Sequence, residues 1–404
     1  MARPDPAPSD LPLFPFGGMT GLDAFSLYAD LRERDPVRRV RLASGGHIYL
    51  IARYDDGRRV LNDPVFSRVA LQRDDATRLL PASKVPGTLL NLDPPDHTRM
   101  RRLVARAFTT GAVERIRPRV QQIADELIDQ MTEQDPPVDL VASFAAVLPA
   151  IVISDMLGVP ADDQDRMREW LDISISAGGH RPEEIQAALG QLRAYLIDLI
   201  AAKRAAPADH LLSALIAARD EGDRLSETEL VSTLFILIAG GYETTAGLLT
   251  NSITMLGYHH PDQLALLRDK PELIPGAVEE LLRYVPLSWC TAERLALEEV
   301  ELSGVRIPAG ATVVVLHYSA NRDEALIAEP DRLDVTRPAY TPHLAFGHGV
   351  HHCIGAPLGR LELQTAFATL LRRLPGLRPA IPESELTWKR GVLTVGPRAL
   401  PVTW

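Results

Sequence analysis

Apolar residues recur at helical spacing through residues 113–131, 162–173, 183–203, 226–257, 272–284 and 354–374. That rhythm predicts helices, each burying one face. Strand patterns are shorter and scattered. Apolar residues in 37–42 and 47–52 flank Ala43-Ser44-Gly45-Gly46, and those in 300–302 and 305–307 flank Ser303-Gly304, so both pairs predict β-hairpins with a glycine turn. The β-branched run 311–316, after Pro308-Ala309-Gly310, predicts a covered strand. The chain reads as mainly α with small β-sheets.

Helix ends are marked as well. Pro182 and the acidic Glu183-Glu184 suit the positive start of the 183–203 helix, and Ser226-x-x-Glu229 has the spacing of a capping box. A helix over 226–257 would be about 48 Å long at about 1.5 Å per residue, enough to cross a whole domain. Its most apolar part, 230–241, holds Ser232 and Thr233 and runs into Glu243, too short and too polar to span a bilayer. Pro136-Pro137 and residues 205–207 read as interhelical loops, and no repeat or low-complexity tract divides the chain. The expected organisation is a single large domain over 21–404 after an extended, proline-rich segment over 1–20 that lacks the apolar run of a signal peptide or membrane anchor.

Composition narrows the function classes. With 46% hydrophobic and 24% charged residues in 404, the chain is an ordinary globular protein. A net charge of −10 argues against wholesale nucleic-acid binding, which rests on clustered positive charge. Two cysteines, Cys290 and Cys353, cannot build a disulfide framework, and so few fit a reducing, cytoplasmic compartment.

The densest chemistry lies in Phe346-Gly347-His348-Gly349-Val350-His351-His352-Cys353-Ile354-Gly355, just ahead of the last amphipathic helix. A cysteine at a helix N-terminus meets free amide N–H groups and the positive dipole end, so its thiol is expected to ionise easily and serve as nucleophile or metal ligand. The glycines strip side chains from the loop and let a large flat group such as haem approach the backbone. Three other readings stay open on these residues alone. They are an inert buried cysteine, a zinc site from His348, His351, His352 and Cys353, and a hydrolase pairing Cys353 with His351 or His352.

Phe346, Gly347, Gly349, His351, Cys353 and Gly355 together resemble the haem-ligand signature of the cytochrome P-450 family. Other segments resemble the family in its order along nearly the whole chain. Ala239-Gly240-Gly241-Tyr242-Glu243-Thr244-Thr245 resembles its oxygen-binding groove, with Gly240 where alanine is frequent and Tyr242 where bacterial members often carry histidine. Read alone, mid-helix glycines cost about 1 kcal/mol each against alanine, so a close-packed ligand or helix is expected to offset Gly240 and Gly241. The resemblance implies that Thr244 hydrogen-bonds dioxygen and Glu243 relays protons. It also implies that Glu280-x-x-Arg283 locks the cysteine loop with a later arginine, for which Arg337 is the candidate. His97, Arg101, Arg294 and His351 match positions that bind the haem propionates.

The implied protein is a soluble bacterial-class member, with haem b between the long central helix and the cysteine loop and Cys353 as axial thiolate. It would be a monooxygenase hydroxylating a hydrophobic small molecule, plausibly a secondary metabolite. Oxygen is the co-substrate, and NAD(P)H acts indirectly through ferredoxin and ferredoxin reductase, since the chain has neither a flavin-binding nor an iron–sulfur signature. Oxidative aromatic coupling, with Trp289 stacking on a ring, is the alternative within the family; a non-catalytic haem-thiolate sensor is the alternative outside it. Leu90, Ile236, Gly240, Leu287, Trp289, Val392 and Leu393 are the expected pocket walls, and residues 176–182 a candidate lid. Arg99, Arg101, Arg102 and Arg106 form a basic run that could face an acidic ferredoxin, although a solvated helix face explains it too. A monomer is expected, without nucleic-acid or membrane partners.

Overall fold

The structure is a computed structural model that describes residues 10–16, 22, 25–79, 87–105, 108–175, 180–208, 210–220, 225–288, 290, 293–389 and 394–404. Its helices are α1 (Phe25–Arg34), α2 (Tyr54–Asn62), α3 (Asp96–Ala105), α4 (Thr110–Thr132), α5 (Val147–Leu157), α6 (Ala161–Ile175), α7 (Pro182–Ala205), α8 (Leu211–Asp220), α9 (Glu227–Tyr258), α10 (Pro261–Asp269), α11 (Ile274–Tyr284), α12 (His317–Ala320) and α13 (Ala356–Arg373). The strands are β1 (Leu13–Phe14), β2 (Val37–Leu42), β3 (His47–Ile51), β4 (Phe66–Ser67), β5 (Val138–Asp139), β6 (Arg294–Ala296), β7 (Val300–Leu302), β8 (Val305–Ile307), β9 (Thr312–Val315), β10 (Arg378–Pro379) and β11 (Pro401–Thr403).

The long helix is α9, and its start is the capping box expected from sequence. Ser226 Oγ accepts from the Glu229 amide at 3.2 Å, and Glu229 Oε2 accepts from the Ser226 amide at 2.6 Å. α9 packs against α5, α7, α10 and α13, and residues 245–256 are buried on every side. Polar residues tolerate that burial by bonding backward: Thr250 Oγ1 donates to the Ala246 carbonyl and Thr254 Oγ1 to that of Thr250, both at 2.8 Å. Among the described residues α9 is the one helix long and apolar enough to cross a membrane, yet 56% of its most apolar window is buried inside the fold. It is a core helix.

Among the described residues three sheets flank the helices, in the orders β1-β2-β3-β9-β6-β4, β10-β11-β5 and β7-β8. Both expected hairpins formed, and the 311–316 run became β9, parallel to β3 with Tyr49 opposite Val313. β6 pairs antiparallel with β9, with Arg294 opposite Val313, so that arginine stands in the interior of the largest sheet. Sequence periodicity did not mark α5, which is apolar on nearly all sides and has no contrasting face. Strands of two or three residues such as β1, β4 and β6 are too short to show alternation and exist through their long-range partners.

Candidate functional site

The cysteine loop is built by its own backbone. The Cys353 amide donates to the Phe346 carbonyl at 2.8 Å, and the Gly347 amide to that of Leu344 at 2.9 Å. Gly347 and Gly349 have φ of 70° and 71°, and a Cβ on Gly349 would lie 2.7 Å from the Leu61 carbonyl. The glycines thus serve the turn and its packing on α2, as well as leaving the cysteine accessible. Gly355 is the N-cap of α13, two residues beyond Cys353.

Cys353 is open to the cleft, and the enclosing loop that raises its thiol is opposed by the Gly355 and Ala356 amides, Arg101 and Arg360, all of which favour the thiolate. A metal ion bound to the sulfur would remove the proton outright. The zinc reading fails: among the described residues no three His, Cys, Asp or Glu side chains gather as a metal cage, so His348, His351, His352 and Cys353 do not form one.

Two carboxylate clamps hold the loop. Glu280, 2% exposed, accepts from Arg283 Nε at 2.7 Å and Nη2 at 2.8 Å, from Arg337 Nε at 3.2 Å and from the Asp334 amide at 3.0 Å. The three residues singled out in sequence meet. Arg283 also donates to the Asn321 carbonyl, and Asn321 Oδ1 accepts from the Leu344 amide at 2.6 Å, which carries the clamp to the start of the cysteine loop. The second clamp was missed. Glu279 accepts from Arg360 at 2.7 and 2.9 Å and bonds His343 Nε2 at 3.2 Å, while the Arg360 guanidinium lies 4.6 Å from the Phe346 ring centroid. Burial pushes the Glu279 carboxyl up, but hydrogen bonds from His343 and Arg360 overcome it and hold the group at about 2. Glu279 and Arg360 are 81 residues apart, so only the folded chain joins them.

Between α9 and this loop lie two cavities of about 210 and 410 Å³, which share Leu90, Gly240, Thr244, Phe346, His351 and Cys353 as walls. A Cβ on Gly240 would meet nothing within 4 Å, so this glycine opens the helix surface to the cleft. Gly241 instead admits α5, its Cβ position lying 3.4 Å from Ile153. Thr244 Oγ1 donates to the Gly240 carbonyl at 2.6 Å. Of the expected pocket walls, Leu90, Ile236 and Leu287 line the cavities; Trp289, Val392 and Leu393 fall outside the described residues, as does most of the 176–182 loop.

Glu243 is elsewhere. Its Oε1 accepts from Lys389 Nζ at 2.8 Å and Thr394 Oγ1 at 2.6 Å, and it lines a separate polar cavity of about 710 Å³. Tyr242 faces the same cavity and donates its hydroxyl to Asp172 Oδ1 at 2.7 Å, so its departure from the common histidine does not reshape the cleft. A buried acid not recognised in sequence does reach the cleft: Glu362 on α13 is 1% exposed, its Oε1 has no partner, and burial pushes it up to about 8 despite the Thr245 hydroxyl.

One end of the cleft is basic. The His97 and His351 rings lie 4.2 Å apart, Arg294 is buried beside them, and Arg101 Nη2 donates to the His352 carbonyl at 2.6 Å. Burial first, and then the neighbouring cations, lower His97 to about 4, His351 to about 2 and Arg294 to about 9. His97 is 1% exposed and neither ring nitrogen has a partner. Such a pole awaits an anion. A haem fits these residues: the thiol for iron, the bare Gly240 surface for a flat ring, and His97, Arg101, Arg294 and His351 for two carboxylates. Arg68, missed in sequence, supports this end by donating to Leu90, Glu293 and Asn91. Two members of the basic run are engaged within the chain, since Arg99 pairs with Glu229 at 2.5 Å and Arg101 turns to the loop; Arg106 lies outside the described residues.

Comparison with known proteins agrees with this geometry. The family model described as Cytochrome P-450 matches residues 10–270 and 267–375. Nocardicin C N-oxygenase of Nocardia uniformis subsp. tsuyamanensis is 46% identical over 98% of this chain and 99% of its own length. Mycinamicin IV hydroxylase/epoxidase of Micromonospora griseorubida is 47% identical over 97% of this chain and 98% of its own. The crystal structure of the LnmA hydroxylase from the leinamycin pathway of Streptomyces atroolivaceus superposes with a TM-score of 0.90 at 44% identity, covering 98% of this chain and 100% of that one.

Proposed function

Since this chain belongs to the cytochrome P-450 family and is a monooxygenase, we propose that it hydroxylates a mainly apolar secondary metabolite with electrons from a ferredoxin and its reductase. The observation that carries the reading is the cleft itself, where Cys353 and Thr244 line the same space and the basic pole leaves His97 unpartnered. A haem held by a thiolate supplies cleavage of dioxygen and transfer of one oxygen atom.

The chain's own residues supply the rest. Cys353 ligates the iron, and the two clamps keep its loop in one geometry. His97, Arg101, Arg294 and His351 neutralise the propionates. Thr244 holds a proton at Oγ1, donated to the Gly240 carbonyl at rest and available toward the cleft when it rotates. Glu243, anchored by Lys389 and Thr394, feeds protons from the polar cavity toward Thr244. The apolar walls Leu90, Ile236 and Leu287 exclude water and orient substrate. The same reading takes 21–404 as the catalytic domain, joined by β1, which pairs with β2 at the edge of the largest sheet and buries Phe14, and the protein as a cytoplasmic monomer.

Incubation of the purified protein with ferredoxin, reductase, NADPH, a substrate found by spin-state screening and labelled dioxygen tests it. One labelled oxygen atom in the product supports hydroxylation. An unlabelled coupled or dehydrogenated product overturns it in favour of another oxidation.

A further inference from the structure

Glu279 and Glu280 are consecutive on α11 but serve different partners. Glu280 gathers Arg283, Arg337 and the Asp334 amide, and so ties α11 to the segment ahead of the cysteine loop. Glu279 turns to the loop itself and to α13. It grips Arg360 with both oxygens, Oε1 accepting from Nε at 2.7 Å and Oε2 from Nη2 at 2.9 Å, and Oε2 also bonds His343 Nε2 at 3.2 Å. Besides holding the loop, this clamp brings a positive and a negative charge into the neighbourhood of Cys353.

Arg360 stands in the second turn of α13, the helix that Gly355 caps just beyond the cysteine. Its charge favours the thiolate form of Cys353. The guanidinium lies 4.6 Å from the centroid of the Phe346 ring, and the Phe346 carbonyl accepts from the Cys353 amide at 2.8 Å. The ring keeps water from that side of the guanidinium, so its charge is less screened than at an open surface. Arg101 also favours the thiolate, but it donates to the His352 carbonyl, whereas Arg360 is held by a carboxylate. Burial alone would raise that carboxyl; the hydrogen bonds from His343 and Arg360 hold it at about 2, so Glu279 is ionised throughout the neutral range.

Two fixed charges of opposite sign beside a thiolate have a consequence for electron uptake. An electron arriving at a thiolate-bound iron adds one negative charge there. A nearby positive charge favours that step and a nearby negative charge opposes it. The side chains of Glu279 and Arg360 are 13% and 33% exposed, so neither charge is given up to bulk water. Guanidinium and carboxylate therefore act in opposite senses on the same iron, and Glu279 offsets what Arg360 would do alone.

We propose that Glu279 is a positioning residue for electron uptake: acting through Arg360, it holds back the pull of that guanidinium on the Cys353 thiolate and keeps the reduction potential of the bound haem iron low. This deepens the monooxygenase reading and rests on it. Redox titration of the haem-loaded protein, wild type and variants, tests it. Glu279→Gln is expected to raise the potential, shifting the ratio of ferrous to ferric protein at a fixed applied potential by about threefold or more. Arg360→Gln is expected to lower it by a similar factor, and the double variant to return to within about twofold of the wild type. A clamp that only held the loop would move both single variants the same way, because either change breaks the same bonds. Shifts in one direction, or no shift in either variant, therefore overturn the proposal. Glu279→Asp and Arg360→Lys disturb the same geometry but keep the charge, and are expected to stay within about twofold of the wild type. Where one neutral variant fails to bind haem, an equal shift in the other and in its charge-keeping counterpart overturns the proposal. The reduced carbon monoxide spectrum, recorded first, keeps the two readings apart. A missing thiolate band strikes the monooxygenase reading, while a normal band with potentials that ignore these charges strikes the role of Glu279 alone.

Discussion

The two faces of α9 around Gly240 to Thr245 meet different surroundings, although the residues are consecutive. Toward the cysteine loop the helix shows Gly240 and Thr244 to a cleft, with Glu362, whose carboxyl burial pushes up to about 8, bonded to Thr245 and its Oε1 without a partner. On the other face Tyr242 and Glu243 meet a polar cavity, where each finds a partner in Asp172, Lys389 or Thr394. A stretch that reads as one motif is thus two sites joined through a helix. The cleft face turns its hydroxyls to the helix backbone and to a buried acid and leaves open space beside Gly240, and the polar face ties its charges to distant side chains.

That contrast can be broken in order of expected effect. Thr244→Ala, on the cleft face, should retain haem but lower product formed per NADPH by about tenfold or more, with peroxide as the other product, the loss expected when a positioned proton donor is removed. Glu243→Gln should slow turnover by about threefold and leave the ratio of product to NADPH higher than in Thr244→Ala, because its carboxylate is turned from the cleft. Equal coupling losses in both variants would erase the distinction between the faces.

Glu362 gives a smaller signature in stability. Its folded value of about 8 lies above the unfolded value near 4.5, so the native state binds the extra proton between them. Stability from this group is present below the unfolded value and falls as pH rises through 8, by at most about 1.4 kcal/mol per pH unit. Urea denaturation at several pH values should show that slope in the wild type and a shallower one in Glu362→Gln. Smallest is Tyr242→Phe, which removes one hydrogen bond to Asp172 and should cost about 1–2 kcal/mol in urea unfolding with coupling unchanged. Coupling that collapses in this variant would give Tyr242 itself a part in the reaction.

Much of the site was legible because its residues are close in sequence or carry strong local signals. The capping box of α9, the cysteine at the head of α13 and the Glu280–Arg283 pair need only local geometry. Family resemblance placed Arg337 and the basic pole, which the fold gathers as expected. What was not legible depends on burial or on distant partners. Arg101, which joins the helix end in favouring a Cys353 thiolate, reaches it from a distant part of the chain. Glu279 finds Arg360, and Glu243 finds Lys389, across 81 and 146 positions. β6 and β4 are strands only because they pair with each other and with β9.

The central claim is that Cys353 ligates haem iron in the cleft below Thr244. The absorption spectrum of the purified protein, reduced with dithionite and treated with carbon monoxide, tests it most directly. The account predicts a strongly red-shifted Soret band that disappears in Cys353→Ala. A protein that stays colourless after incubation with haem, or a band unshifted by carbon monoxide, would contradict it.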